Sequence, residues 1–329
     1  MKKLLCFGAL AFAIGGSVQR PLMALPQVAE TVTVAQASTV AAQPVAPTQA
    51  IVLDPGAAPR RQLRLQLAPG MEETGNTTMK VRMDGFLNGQ KLPFPSVPTM
   101  KFGMSMKVDK VDANGDSHLT FGYTSADVVA NPDTPPMMLD VMRSQLQGLL
   151  DHKGAMVISD RGQTKSFQIE LPKTLTAAAQ NQLDRTMEQL TNSLKQLSAP
   201  LPAEPVGLGA KWKVPPQKLS MNGMVVIQTA TYELLELQGN TMKLAVTVEQ
   251  TADPQPLNSP GLPPGASMQL KSLSSNGGGT ITMHLDRLFP SQANIAVNAE
   301  AKMQVKDAKL PQGADLLMKS LVEMTLQSN

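Results

Sequence analysis

Apolar and polar residues alternate along much of the chain, starting at residue 61. An alternation of period two predicts β-strands that bury one face and expose the other. Long strands with a polar opposite face are typical of antiparallel sheets, so the pattern predicts a mainly antiparallel β protein. The predicted strands include Leu63–Leu67, Met79–Met83, Met100–Val108, Leu119–Tyr123, 155–160, 165–171, Met242–Val248, Ile281–Leu285, Ile295–Val305 and Met318–Leu326.

Two segments change to a spacing of three and four residues, which indicates amphipathic helices. The first predicted helix covers about 135–151, with apolar positions Met138, Met142, Leu146 and Leu149. The second covers 174–197 and ends before two prolines. Its apolar stripe consists of Ala179, Leu183, Met187, Leu190, Leu194 and Leu197.

The strand pattern falls into two halves, 61–171 and 205–329. Residues 172–204 join them and contain the long helix and a proline-rich connection. Each half has a lysine-flanked methionine strand, and this likeness predicts a pseudo-repeat. We therefore predict a mainly β fold with minor α: two pseudo-repeated antiparallel halves form a curved sheet or half-barrel, with both helices packed on its apolar face. Whether the halves form one domain or two stays open.

The N-terminus has the parts of a signal peptide: Met1–Lys3 is basic, residues 4–18 are apolar, and cleavage after Ala24 is predicted. A second small-residue site at Ala35–Ala37 is the alternative. Residues 25–60 are rich in Ala, Pro, Val, Thr and Gln, and we predict a disordered leader there. The expected protein is exported, periplasmic or extracellular, and soluble after cleavage. It is not an integral membrane protein, because no segment approaches the roughly 20 apolar residues that a membrane helix needs.

The composition narrows the chemistry further. Cys6, the only cysteine, lies inside the signal segment, so the mature chain would contain no disulfide and no catalytic thiol. The net charge of +3 comes from scattered lysines and arginines, and nucleic-acid binding is therefore not predicted.

Methionine is the unusual residue, with 21 in the chain. At inward positions of strands and helices, this flexible side chain fills core volume, which is our main interpretation. The same residues could instead line a soft site for an apolar ligand, while a Cu(I) site at Met104 and Met106 is the third interpretation. The ligand hypothesis names Met83, Met104, Met106, Met187, Leu190, Met242 and Met283.

Motifs of catalysis are missing from the sequence, and we predict a non-enzyme without cofactor or metal. His118 and His284 are interpreted as surface residues on strands, and His152 as a cation after a helix end. An enzyme whose carboxylates only the fold brings together remains a further class.

Two glycine-containing segments are interpreted as turns. Asp112–Asp116 lacks the ligand pattern of a calcium loop, and its Asn-Gly pair predicts a hairpin turn. Gly277–Gly279 precedes a strand rather than a helix, so we predict a turn or bulge there instead of a phosphate site.

The segment Leu201–Trp212, with Pro202, Gly207, Gly209 and the only tryptophan, resembles a stretch of exported, β-rich bacterial proteins of no assigned function. There it leads from a long helix into a second β half. More distantly, the predicted architecture is similar to the LolA-like half-barrel of periplasmic lipoprotein and lipid carriers. The resemblance implies a curved sheet with helices on its apolar face, and it implies function only by analogy.

Two functional hypotheses follow. The first is a non-catalytic envelope protein that binds an apolar small molecule or lipid between the sheet and the 174–197 helix. The alternative is a structural or partner-binding envelope module with a dry core, which would contact another envelope protein through its outer face or edge strands. The identity of ligand or partner and the oligomeric state are not encoded in any recognisable pattern.

Overall fold

The structure is a computed structural model that describes residues 43–44, 49–94, 96–147, 150, 153–169, 200–221, 224–257, 265–307 and 310–328. Within these residues the chain forms one helix and one antiparallel sheet of fifteen strands. The elements are β1 (Gln43–Pro44), β2 (Ile51–Asp54), β3 (Glu72–Leu87), β4 (Gln90–Leu92), β5 (Thr99–Val111), β6 (Ser117–Val129), α1 (Pro136–Gln147), β7 (Lys153–Ile158), β8 (Thr164–Ile169), β9 (Lys211–Met221), β10 (Met224–Gln238), β11 (Thr241–Ala252), β12 (Gln255–Leu257), β13 (Ser267–His284), β14 (Gln292–Asp307) and β15 (Leu310–Ser328).

The sheet is open, and its strands follow the order β1-β8-β7-β6-β5-β3-β15-β14-β13-β11-β10-β9-β2, with β4 on β3 and β12 on β13. Pairing of β15 with β3 joins the two halves of the chain. The mainly β, antiparallel prediction is thereby confirmed. The pseudo-repeat stays a prediction.

The two terminal strands show that the sheet curls. Thirteen strands lie on the path from β1 to β2, so a flat sheet would hold these two strands about 58 Å apart at about 4.8 Å per spacing. Yet Pro44 and Ile51 are only seven positions apart in the sequence, and seven residues span at most about 25 Å. The ends of the sheet therefore turn toward each other.

Residues 61–71, which we call the strap, cross one end of the curled sheet. The backbone N–H of Leu65 donates to Asp160 O in the β7–β8 turn at 2.6 Å, and the next N–H, that of Gln66, donates to Leu285 O after β13, also at 2.6 Å. Consecutive residues thus bond to parts of the sheet that lie six strands apart in its order. The alternation at Leu63–Leu67 predicted a strand, and that prediction is wrong, because these residues bond singly to several turns instead of to one partner strand.

Cross-strand register separates an inner, apolar face from an outer, polar face. The row Leu244, Ile281, Ala293 and Leu326 crosses four strands on the inner side, and all four residues are buried. On the outer face Arg82 Nη2 lies 3.1 Å from Glu323 Oε2. In these rows, the alternation of the sequence therefore matches which face is buried.

The core is densest below the strap. Leu63, Leu201, Val206 and Trp212 are each at most 1% exposed and belong to one cluster with strands β10, β11 and β13. The indole Nε1 of Trp212 donates to Pro200 O at 3.0 Å. This end of the curled sheet is consequently packed shut.

Helix α1 covers another part of the inner face. Pro136 stands at its first position, where a missing N–H has no cost. Leu139, Met142 and Leu146 pack with Met100 and Val128 of the sheet. The predicted helix at 135–151 is thus confirmed over Pro136–Gln147, whereas the second predicted helix, at 174–197, lies outside the described residues.

Two strands fall within the segment predicted as a leader, β1 and β2. Val52 of β2 pairs with Trp212 of β9, so part of this segment contributes to the sheet. The described residues contain no helix with the length and apolar character needed to cross a membrane.

Candidate functional site

Five of the predicted ligand-binding residues are described, and all five occupy inner-face positions: Met83, Met104, Met106, Met242 and Met283. They are not brought together. Met242 of β11 is 0% exposed and pairs with Met283 of β13, whereas Met104 and Met106 lie on β5, on the far side of β14, β15 and β3. Met187 and Leu190 lie outside the described residues.

A different group of residues forms the accessible part of the inner face. Midway along the strands β3, β15 and β14, several apolar side chains of the inner face are half-buried, although others on the same strands, such as Val81 and Met318, are buried. Ile295, Met324 and Met79 form one cross-strand row of this region, and Val297 and Val322 belong to the next. We call these five residues the central band. Buried clusters flank the central band on both sides, one around Leu244 and Ile281 and the other around Leu270 and Met303. Within the described residues, the central band is therefore an apolar part of the inner face that is not fully buried.

Gly277 and Gly279 of β13 lie beside the central band, on the inner face. Each is half-buried and pairs with β11 on one side and β14 on the other. A Cβ at Gly279 would overlap the carbonyl oxygen of Asn294, and a Cβ at Gly277 that of Ala296. The turn or bulge predicted at Gly277–Gly279 is therefore wrong: the glycines stand mid-strand, where neighbouring backbone approaches too closely for a side chain.

Other inner-face glycines are covered by aromatic rings and are buried. The pairs are Gly75 with Phe289, Gly85 with Phe94, and Gly154 with Phe121. In contrast, Gly277 and Gly279 are partly accessible and have only backbone and Val297 atoms nearest to them. They form a strip without side chains along one flank of the central band.

The inner face around this band is almost uncharged. On the six adjacent strands β3, β15, β14, β13, β11 and β10, the charged residues at described inner positions are Glu73 and, at the far end of β14, Asp307. The carboxylate of Glu73 is already engaged, by Arg287 Nε at 3.0 Å and by the backbone N–H groups of Leu288 and Phe289 at 3.2 and 3.3 Å. Glu73 therefore anchors the segment after β13 and leaves the band apolar.

One polar row interrupts the inner face next to the glycine strip. Gln228, Gln250 and Ser275 are successive cross-strand partners on β10, β11 and β13. Gln250 Nε2 donates to Gln228 Oε1 at 2.7 Å. Sequence reasoning missed this row because a bulge between Leu270 and Ser272 shifts the parity of β13 and hides which face Ser275 occupies.

The β5–β6 hairpin carries the densest group of polar side chains. His118 Nε2 lies 2.7 Å from Asp112 Oδ2, and Lys165 Nζ lies 2.6 Å from Asp116 Oδ2. The hydrogen bond from His118 holds the pKa of Asp112 below its ordinary value of 3.8, and the bond from Lys110 acts in the same direction. The turn predicted at Asp112–Asp116 is confirmed, with Gly115 at φ 83°.

This hairpin group pairs cations with carboxylates. Among the described residues, no three His, Cys, Asp or Glu side chains converge as metal ligands. His284, the other described histidine, contacts the Thr241 hydroxyl at 2.9 Å through Nδ1.

Comparison of the chain with models of protein families finds no match, and comparison with curated proteins finds none either. The resemblance of Leu201–Trp212 to exported β-rich proteins and the likeness to the LolA-like half-barrel therefore stay predictions.

Proposed function

We propose that this protein is a non-catalytic carrier or receptor of an apolar molecule, which it binds on the inner face of its curled sheet. The observation that carries the proposal is the central band, whose apolar side chains are half-buried and lie between two buried clusters. Burial of such surface yields about 25 cal/mol per Å², so the band favours an apolar occupant. The predicted export to the envelope is consistent with a lipid as that occupant and remains part of the proposal.

The adjacent residues also favour this function. The glycine strip at Gly277 and Gly279 removes side chains from the floor beside the band, which leaves depth for a chain-like ligand. The near absence of charge on the neighbouring inner positions avoids the desolvation cost that a buried ion would impose on such a complex.

The test places a charge in the band and a matched charge outside it. Val297→Asp puts a carboxylate on the inner face of β14, while Asn298→Asp changes the next residue, which is exposed on the outer face. We expect N-phenyl-1-naphthylamine to bind the parent and Asn298→Asp proteins equally and to lose affinity for Val297→Asp at least tenfold, since a carboxylate would have to be desolvated. Circular dichroism establishes that each variant is folded.

A milder substitution tests the same site in case Val297→Asp does not fold. Val297→Thr keeps the side-chain shape and the β propensity but adds one hydroxyl to the band. A measurable loss of affinity in Val297→Thr supports the site even when Val297→Asp fails to fold. Unchanged probe affinity in both folded variants would reject the inner face as the binding surface.

The partner-binding module stays as the second candidate because of exposed apolar residues at one edge. Ile51, Leu53 and Leu208 are 47%, 54% and 54% exposed beside β9. Two prolines, Pro215 and Pro216, lie within β9 itself and disfavour the addition of a further strand there. This candidate would be favoured if the protein carries no bound ligand and forms a complex with another protein that the substitution Leu53→Ser abolishes.

A further inference from the structure

A buried hydroxyl without a partner in the described part of the chain, that of Ser275, lies on the inner face beside the glycine strip. This residue is 4% exposed, and its Oγ has no hydrogen-bond partner among the described residues. A buried hydroxyl without a partner destabilises a folded protein, and alanine would fill the same space without that cost. The position therefore calls for a partner that is not part of the described chain.

The next two residues of the same cross-strand row, Gln250 and Gln228, extend the polar surface. Gln250, the cross-strand partner of Ser275 on β11, is half-buried and bonds to Gln228 through one of its N–H groups. A carboxamide has two N–H hydrogens and a carbonyl oxygen, so this bond uses only part of the capacity of Gln250. Gln228, Gln250 and Ser275, which we call the polar row, can thus both donate and accept hydrogen bonds.

The polar row lies at one end of the apolar surface. Gly277 is the next inner-face position along β13 after Ser275, about 7 Å further on, and Val297 of the central band pairs with Gly277. An extended chain lying over Gly277 and Gly279 would consequently place its end group against Ser275 and Gln250.

The charges near the polar row determine which kind of ligand end group can bind there. No lysine or arginine occupies a described inner position on the six strands around the central band. A carboxylate or phosphate would be desolvated there without a compensating cation, whereas a hydroxyl or ester carbonyl needs only hydrogen bonds.

We propose that the polar row binds the uncharged, oxygen-bearing head group of an amphiphile whose acyl chain lies over Gly277 and Gly279 on the central band. This inference rests on the proposed function and specifies the ligand class: a neutral lipid with a hydroxyl or ester head, such as a monoacylglycerol.

The experiment compares three ligands that share a chain length and differ in the head: 1-palmitoylglycerol, palmitate at pH 9, and hexadecane. The affinity of each ligand is measured by its displacement of N-phenyl-1-naphthylamine from three proteins: the parent, Ser275→Ala and Ser274→Ala. Ser274 is the matched control, because it is the preceding residue of β13 and is exposed on the outer face. Loss of one hydrogen bond in Ser275→Ala should weaken 1-palmitoylglycerol about two- to tenfold. Hexadecane should bind all three proteins alike, and palmitate should bind the parent less tightly than 1-palmitoylglycerol.

A second readout separates recognition from folding. Without ligand, Ser275→Ala should unfold at an equal or higher temperature than the parent, because an unpaired buried hydroxyl has been removed. Equal affinity of 1-palmitoylglycerol for the parent and Ser275→Ala proteins would overturn the role of the polar row, as would palmitate binding at least as tightly as 1-palmitoylglycerol. In either case hexadecane binding would leave the proposed function standing. If no ligand and no probe binds the parent, the proposed function itself fails.

Discussion

Trp212 provides the sharpest test of how the curled sheet is held together. The indole is 0% exposed, stacks on Tyr232 with ring centroids 5.8 Å apart, and donates its N–H to Pro200 O at 3.0 Å. The next residue, Leu201, donates its backbone N–H to Arg161 O in the β7–β8 turn at 2.9 Å. Trp212 therefore links the β9 end of the sheet to the β8 end.

The substitution Trp212→Phe keeps the aromatic stack and removes the hydrogen bond. The buried carbonyl of Pro200 then lacks its partner, which costs about 1–3 kcal/mol. The smaller ring leaves a void of about 40 Å³, and at about 24 cal/mol per Å³ this adds about 1 kcal/mol. The expected loss in the free energy of unfolding is about 2–4 kcal/mol.

Urea unfolding followed by far-UV circular dichroism measures this loss without relying on the tryptophan that is removed. Lys211→Ala is the control on the same strand, because its ion pair with Glu233, 3.4 Å long and exposed, should contribute less than about 1 kcal/mol. A Trp212→Phe protein as stable as Lys211→Ala would refute the role of Trp212 as the link between the sheet ends.

Three further predictions concern other parts of the fold. Gly279→Ala should prevent folding or lower the unfolding temperature sharply in a thermal melt, because the new Cβ would overlap a backbone carbonyl of β14; a normal melting curve would contradict the close approach. Asp112→Asn should have a lower free energy of unfolding than the parent near pH 7. Because the hydrogen bond from His118 lowers the pKa of Asp112, this difference should vanish as the pH falls below 3.8 and through that lowered pKa; a difference in urea unfolding that persists at pH 2 would contradict the pairing. Burial raises the pKa of both Tyr123 and Tyr232, so the free energy of unfolding should fall as pH rises above the ordinary value of 10.0, and absorbance at 295 nm should show ionisation of Tyr232 only as the protein unfolds; ionisation of both rings in the native state near pH 10 would contradict their burial.

Much of the sheet could be predicted from the sequence because alternation directly reflects which face is buried. Met100–Val108 and Ile295–Val305 are examples, and both belong to observed strands. The strap defeats this reasoning, since Leu63 and Leu65 alternate with polar residues yet pack under several turns instead of joining a strand. The alternation of apolar and polar residues indicates which side chains are buried, but it does not reveal the partners of the backbone hydrogen bonds.

The candidate site was less predictable for two physical reasons. Curling decides which inner residues are sealed and which stay accessible, so Met242 is fully buried while Val297 is not. Register and bulges decide which residues share a row, and they bring Ser275 beside Gln250 although the residues lie far apart in sequence. Methionine content indicated an adaptable inner face, but the glycine strip and the polar row depend on strand pairing that no local pattern encodes.

Lipid binding by this protein is tested most directly by native mass spectrometry of the protein purified gently from the cells that produce it, followed by solvent extraction. The account predicts a stoichiometric adduct that releases an uncharged lipid, and the adduct should be absent from Val297→Asp. A protein of bare chain mass that also fails to bind N-phenyl-1-naphthylamine would contradict the account and favour the partner-binding module.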